Sequence, residues 1–123
     1  MAFTFEELQS RKYKGYAWTV SYEFEANGFY WGCDGSSEDE PNVWFFDKGE
    51  AIEFARQNYP VEVLIEMLEQ ASQTDNADTL IFTVEQWEWF SGLDEYRNEE
   101  DLLFIRLKKH SSGEIVVTER QGL

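Results

Sequence analysis

The sequence predicts an α+β fold in which two central helices and a short N-terminal helix accompany an antiparallel sheet of five to six strands. Three observations carry this prediction: apolar and polar residues alternate over 16–25, Asn27-Gly28 follows directly, and apolar residues recur at helical spacing within 51–68. A chain of 123 residues is expected to form a single domain, 1–123. We expect the two central helices to pack on one face of the sheet.

The N-terminal third predicts a helix and a hairpin. Thr4-Phe-Glu-Glu7 fits a capping box, so a short helix should run over about 5–12. The alternating segment 16–25 predicts a strand with one apolar and one solvated face. Asn27-Gly28 tolerates positive φ in a tight turn, so residues 29–34 should return as a second strand. The apolar face of the first strand is expected to hold Tyr16, Trp18, Val20, Tyr22 and Phe24.

The central third predicts a loop, a short strand and two helices. Residues 34–42 are polar and contain Gly and Pro, which favours a loop, and residues 43–46 form a short apolar run. Asp47 suits a helix N-cap, so a helix should follow to about Asn58. Pro60 should end that helix and begin another that reaches about residue 72. The second helix is expected to bury Val61, Leu64, Ile65 and Leu68 and to expose Glu62, Glu66 and Glu69.

The C-terminal third predicts strands around a second acidic loop. Residues 80–84 favour a strand, and Glu85–Phe90 either extends it or coils into a short helix. In a strand, Trp87 and Trp89 would share a face. In a helix they would diverge, and one would stand exposed beside glutamates, which is the composition of a hot spot for a basic partner. The segment 92–101 reads as an acidic loop, and the segments 102–108 and 115–119 form a last hairpin around Ser-Ser-Gly.

The charge of the chain is concentrated in its middle. From Glu23 to Asp101 there are 21 acidic and three basic residues, a local net charge of −18, whereas the flanks contribute +3 to the total of −15. That total exceeds the magnitude of about 2–8 that keeps a small domain soluble. An anionic surface repels nucleic-acid phosphates and anionic lipids, so the expected partners are basic proteins or cations. The 17% aromatic content indicates a folded chain rather than a disordered acidic tail.

Several function classes are disfavoured by what the sequence lacks. Cys33 is the one cysteine, which excludes an intrachain disulfide and suits a reducing cytosol. The sole histidine, His110, lies in a predicted turn, so a structural zinc site lacks its ligands and a catalytic triad would rest on this residue alone. We find no glycine-rich phosphate loop and no cleft motif for paired carboxylates. Without a signal-like N-terminus or a long apolar run, the chain is expected to be a cytoplasmic, non-enzymatic protein.

The acidic loops suggest calcium as an alternative ligand. Binding of a basic protein, the interpretation that we favour, needs no cofactor. Carboxylate and hydroxyl oxygens on a loop are the ligands that Ca²⁺ prefers, and the loop 94–101 would add more. The spacing departs from the EF-hand, because position 6 of the loop is Asp39 rather than Gly and position 12 is Phe45 rather than Glu. The chain would then be a non-EF-hand calcium-binding protein. The ligands predicted for this alternative are Asp34, Glu38, Asp39 and Glu40.

In bulk composition and size, the whole chain resembles the DNA-mimic class of small prokaryotic proteins. Their acidic domains occupy the DNA-binding surface of histone-like proteins, repressors or nucleases, and toxin-neutralising immunity proteins share this logic. The chain is also similar to small acidic calcium-binding proteins outside the EF-hand family. The first resemblance implies an inhibitor that binds a basic, nucleic-acid-binding protein and makes no direct contact with nucleic acid. The acidic segments predict the contact residues as Glu38, Asp39, Glu40, Glu62, Glu66, Glu69, Glu99, Glu100 and Asp101.

Overall fold

Within the part of the chain that the structure describes, a six-stranded antiparallel sheet with three helices confirms the predicted α+β fold. The computed structural model describes residues 2–33, 43–90 and 95–122, and the side chains of residues 32–33 and 95–102 lie outside this description. The strand order is β2-β1-β4-β5-β6, and β3 also pairs with β1. The elements are α1 (Phe5–Ser10), β1 (Gly15–Ala26), β2 (Phe29–Cys33), β3 (Trp44–Phe45), α2 (Lys48–Asn58), α3 (Val61–Asp75), β4 (Thr79–Phe90), β5 (Glu95–Lys109) and β6 (Ile115–Gly122).

The main core lies between the sheet and the two long helices, as the sequence predicts. Helices α2 and α3 pack against β1, β4 and β5 on one face, which we call the helix face. Burying a large aliphatic side chain stabilises a fold by about 1.5–3 kcal/mol, so this layer fixes both helices on the sheet. No helix within the described ranges combines the length and apolar character needed to cross a membrane. Fully buried members of this core include Val20, Leu64, Leu68, Leu80, Phe82, Val84 and Leu107.

The short helix α1 covers one end of the opposite face, which we call the back face. The predicted capping box is present: the Glu7 amide donates to Thr4 Oγ1 at 3.1 Å, and the Thr4 amide donates to Glu7 Oε1 at 3.2 Å. Because α1 covers this end of the back face, the prediction that this face of β1 is solvated is wrong here. Ala17, expected on the solvated face, is fully buried in a second cluster with α1, whereas Tyr16 is 45% exposed. The second cluster consists of Phe3, Leu8, Ala17, Trp44 and Trp89.

The predicted hairpin forms at one edge of the sheet. Asn27 and Gly28 adopt φ values of 49° and 86°, and β2 returns beside β1 with Trp31 opposite Phe24. Strand β3 pairs with β1 further along, at Trp18 and Thr19, so β2 and β3 lie along the same edge of β1. The side chain of Thr19 reinforces this arrangement, because its hydroxyl donates to the Val43 carbonyl at 2.6 Å.

Both central helices begin where the sequence predicts. The Asp47 side chain accepts a hydrogen bond from the Gly49 amide at 2.8 Å, as expected of an N-cap. Pro60 precedes α3, and that helix continues one turn beyond the predicted end to Asp75. Asn76 ends it in the left-handed conformation with φ of 59°, which asparagine tolerates better than most residues.

Strand β5 differs most from the sequence interpretation, whereas β4 follows one of its two alternatives. The segment 85–90 continues β4 as a strand, and residues 95–101 belong to β5 rather than to the predicted acidic loop. Backbone pairing with the long β4 overrides the local composition, with two register shifts that absorb the irregularity. Strand β6 pairs with β5 from Leu103 onward, so this acidic half of β5 has β4 as its neighbour in the described sheet. Charged residues are favoured at such edges because they discourage pairing with other chains.

Candidate partner-binding surface

The outer side of α3 carries a row of exposed carboxylates, which we call the α3 acidic row. Its members, Glu62, Glu66 and Glu69, are all exposed, as predicted, because Leu64 and Leu68 turn the other side of the helix into the core. At 1.5 Å of rise per residue, the successive carboxylates lie about 6 and 4.5 Å apart along the axis. Within the described residues, none of the three forms a hydrogen bond or an ion pair. The row is therefore available to a cationic partner.

The other predicted contact residues are not brought onto this row by the described structure. Glu38, Asp39 and Glu40 lie outside the described residues. The backbone of Glu100 and Asp101 pairs with β4 opposite Gln86 and Glu85, and Glu99 belongs to the same strand, which corrects the prediction that these three residues form a loop.

The predicted calcium site falls largely outside the described residues, which include none of its ligands Asp34, Glu38, Asp39 and Glu40. Across the described part of the chain, no three His, Cys, Asp or Glu residues are grouped as a metal would require. The predicted loop 94–101 is a strand from residue 95 onward, and its contribution of calcium ligands stays a prediction. Calcium binding by residues 34–40 stays a prediction of the sequence.

The tryptophans of β4 belong to the back-face packing. Because residues 85–90 are a strand, Trp87 and Trp89 share a face, and both meet the ring of Trp44 edge to face at 5.9 and 5.2 Å between centroids. The exposed hot spot expected of a helical segment is therefore not formed. Beside them, Glu85 is only 7% exposed and accepts hydrogen bonds from Thr83 at 2.9 Å and from the Trp87 indole at 3.0 Å. These donors identify Glu85 as a structural carboxylate of the back face.

Among the described residues, the two most exposed aromatic side chains lie instead on the edge strand β2. Phe29 is 75% exposed and Tyr30 is 62% exposed, and they point to opposite faces because Phe29 pairs with Ala26 and Tyr30 with Glu25. On the helix face, a groove of about 420 Å³ lies between this hairpin and the C-terminal end of α3. We call it the aromatic groove, and its lining is Ala26, Asn27, Phe29, Trp31, Asp75 and Asn76.

A second groove continues the first along α3. It has a volume of about 270 Å³, and Trp31 and Asp75 line both grooves. Met67 and Gln70 of α3 form part of its wall, so the surface runs from the hairpin towards the middle of the helix. Sequence reasoning missed this site. Three consecutive aromatic residues at 29–31 were the available signal, because the alternating faces of an edge strand cannot bury all of them.

The opposite end of α3 has a groove of the opposite charge. Arg56 and Arg120 line a volume of about 410 Å³ together with Glu62 and an apolar floor that includes Ile52 and Ile105. Two guanidinium groups repel a basic partner, so this groove disfavours the predicted contact at Glu62 and leaves Glu66 and Glu69 as the members of the row that do not line it. A cationic ligand is favoured by the acidic row and by the aromatic groove at the C-terminal end of α3.

Comparison with known proteins assigns no function to this surface. No family model matches the chain, and neither a curated protein nor a solved structure is significantly similar to it.

Proposed function

We propose that this chain is a non-enzymatic acidic binding protein that occupies the basic surface of a nucleic-acid-binding protein, in the cytoplasm. The observation that carries the proposal is the α3 acidic row: three exposed carboxylates on a packed helix, with no ion pair among the described residues. A carboxylate row held on a packed helix can meet a row of lysine or arginine side chains without first being ordered. A rigid row therefore loses less conformational entropy on binding than the same charges on a loop.

The spacing of the row supports phosphate substitution on a limited scale. Three charges over seven residues of helix give a mean interval of about 5.3 Å along the axis. One DNA strand presents a phosphate per about 3.4 Å of axis, so the row has about two thirds of the charge density of a single strand. The row alone can therefore contact those basic residues of a partner that would otherwise bind one DNA strand. A partner that contacts both DNA strands would need further acidic residues on this protein.

Displacement of DNA tests this proposal directly. Purified basic DNA-binding proteins, each holding a fluorescein-labelled duplex, are titrated with the chain, and fluorescence anisotropy reports the released duplex. We expect release from at least one of them, with an affinity that weakens steeply as salt rises, because exposed charges are screened within about 8 Å at physiological ionic strength.

A pair of triple variants separates the row from diffuse charge. The first variant changes Glu62, Glu66 and Glu69 to Gln. The second changes Glu23, Glu25 and Glu114 to Gln, so it has the same net charge, but its substitutions lie on the back face and in the β5–β6 turn. Exposed pairs contribute about 0.2–1 kcal/mol each, so the first variant should bind at least about threefold more weakly. Equal weakening by both variants, or no duplex release from any protein in the panel, would refute the proposal.

A further inference from the structure

The aromatic groove combines three features that each favour an organic cation. The first is Asp75, the last residue of α3, where the helix places its partial negative charge. An acid at this end is electrostatically unfavourable for its own helix, and the last turn of α3 contains no basic residue. Lys109 reaches this part of α3, since its Nζ donates to Ser72 Oγ at 2.8 Å, but Lys109 does not line the groove. A cation arriving beside Asp75 would relieve this repulsion.

The second feature is the pair of aromatic faces. Trp31 is half-buried and stacks on Phe24 with 5.8 Å between ring centroids, so its orientation is fixed, whereas Phe29 extends from the hairpin with three quarters of its surface exposed. A guanidinium within about 6 Å of a ring centroid gains cation–π attraction. The chain already contains such a contact, since the guanidinium of Arg11 lies 4.5 Å from the Phe3 ring.

The third feature is the size of the cleft and its position. About 420 Å³ lies within the range of small-ligand sites and accommodates a guanidinium with its methylene stem. Glu69 of the α3 acidic row lies six residues before Asp75, about 9 Å along the helix axis and about 120° around it. A basic segment on the row would therefore reach the groove by way of Gln70 and Thr74, which line the second groove.

We propose that the aromatic groove receives an arginine side chain of the basic partner, held between Phe29 and Trp31 and paired with Asp75. This inference rests on the proposed function, because it names the residue that the partner inserts. Arginine fits better than lysine, since a planar guanidinium stacks on aromatic faces and is more weakly hydrated than an ammonium group. One carboxylate among the lining residues is too few for a metal ion but sufficient for one guanidinium.

A small probe tests the groove without the partner. N-acetyl-argininamide is titrated into the protein, and the indole N–H signal of Trp31, assigned with the Trp31→Phe variant, is followed by NMR among those of the five tryptophans. The neutral isostere N-acetyl-citrullinamide serves as the charge control. We expect a saturable shift of the Trp31 signal with the arginine probe and a response at least several-fold weaker with citrulline. Equal responses to the two probes, or no shift, would overturn the proposal.

Paired variants locate the interaction. Phe29→Ala and Asp75→Asn should each weaken the arginine probe about two- to fivefold, since each removes one exposed cation contact. Tyr30→Ala is the control for the aromatic residue, because it exposes a similar ring on the other face of the same strand. Glu114→Gln is the control for the charge, at an exposed position in the β5–β6 turn. If a control variant weakens binding of the arginine probe as much as the variant that it matches, the assignment of the groove is wrong.

Failure of the groove can be distinguished from failure of the proposed function. If the protein displaces DNA through the α3 acidic row but the Trp31 indole signal does not shift with the arginine probe, the groove assignment is wrong and the proposed function stands. If the groove takes the arginine probe while no basic protein releases its duplex, the groove is a cation site and the proposed function is wrong.

Discussion

Replacing Glu66 and Glu69 with glutamine should make the isolated protein more stable, although both residues are proposed to bind the partner. Glu62 and Glu66 are four residues apart and Glu66 and Glu69 three apart, so α3 holds two neighbouring like-charge pairs. Each pair destabilises a helix by about 0.2–0.5 kcal/mol. Because glutamine and glutamate have similar helix propensities, the double substitution should raise the free energy of unfolding by about 0.4–1 kcal/mol.

Glu62 provides an internal control for this reasoning. It lies in the first turn of α3, where the positive end of the helix stabilises a carboxylate by about 0.3–1 kcal/mol. Glu62→Gln removes that attraction together with one repulsion of about 0.2–0.5 kcal/mol, so its net effect should be close to zero or slightly destabilising. The two variants are thus expected to differ in sign or size although both remove exposed glutamates from one helix.

Urea unfolding followed by tryptophan fluorescence measures the effect. With a slope of about 2 kcal/mol per molar urea, the midpoint of the double variant should rise by about 0.2–0.5 M at low salt. The difference should shrink in about 1 M NaCl, where charges more than about 3 Å apart are screened. An unchanged or lowered midpoint would mean that these carboxylates hold favourable contacts in the isolated protein and are not a row kept for a partner.

Three further predictions address the Thr19 hydrogen bond, the ionisation of Tyr13 and calcium binding by residues 34–40. Thr19→Val should lower the free energy of unfolding by about 0.5–1.5 kcal/mol in urea, because the partly buried Val43 carbonyl loses its donor; unchanged stability would contradict this. Burial raises the pKa of Tyr13, so the stability it contributes should be intact below about pH 10 and fall as pH rises further; Tyr13→Phe should be less sensitive to alkali in thermal unfolding. If residues 34–40 bind calcium, calorimetry should show heat at millimolar Ca²⁺ that disappears when their acids become amides, and no heat removes that alternative.

The parts of the fold that the sequence predicted are those fixed by local chemistry. The capping box of α1 and the Asp47 cap of α2 involve atoms within three residues of one another, and the Asn27-Gly28 turn depends on the φ preference of its own residues. The α3 acidic row was predicted for the same reason, since helical spacing alone separates its exposed side from Leu64 and Leu68.

The parts that the sequence missed depend on distant residues. Ala17 is buried because α1 and Trp44 cover it, and nothing in the alternation of β1 indicates that cover. Residues 95–101 have the composition of a loop, yet backbone pairing with β4 makes them a strand. The aromatic groove joins Trp31 to Asp75, which are 44 positions apart in the sequence, so only the packing of α3 against the first hairpin creates it.

The distribution of charge across the sheet argues against solubility as the sole purpose of the acidity. On the helix face, the segment 48–75 carries six acidic and two basic residues. The solvated part of the back face is nearly balanced, because Glu23, Glu25 and Glu119 stand among Arg106 and Lys108, and Glu119 pairs with Arg106 at 3.2 Å. Solubility requires net charge but no particular side of the molecule. Among the described side chains, the larger acidic excess lies on the side that also bears the aromatic groove, as a directional contact with a cationic partner requires.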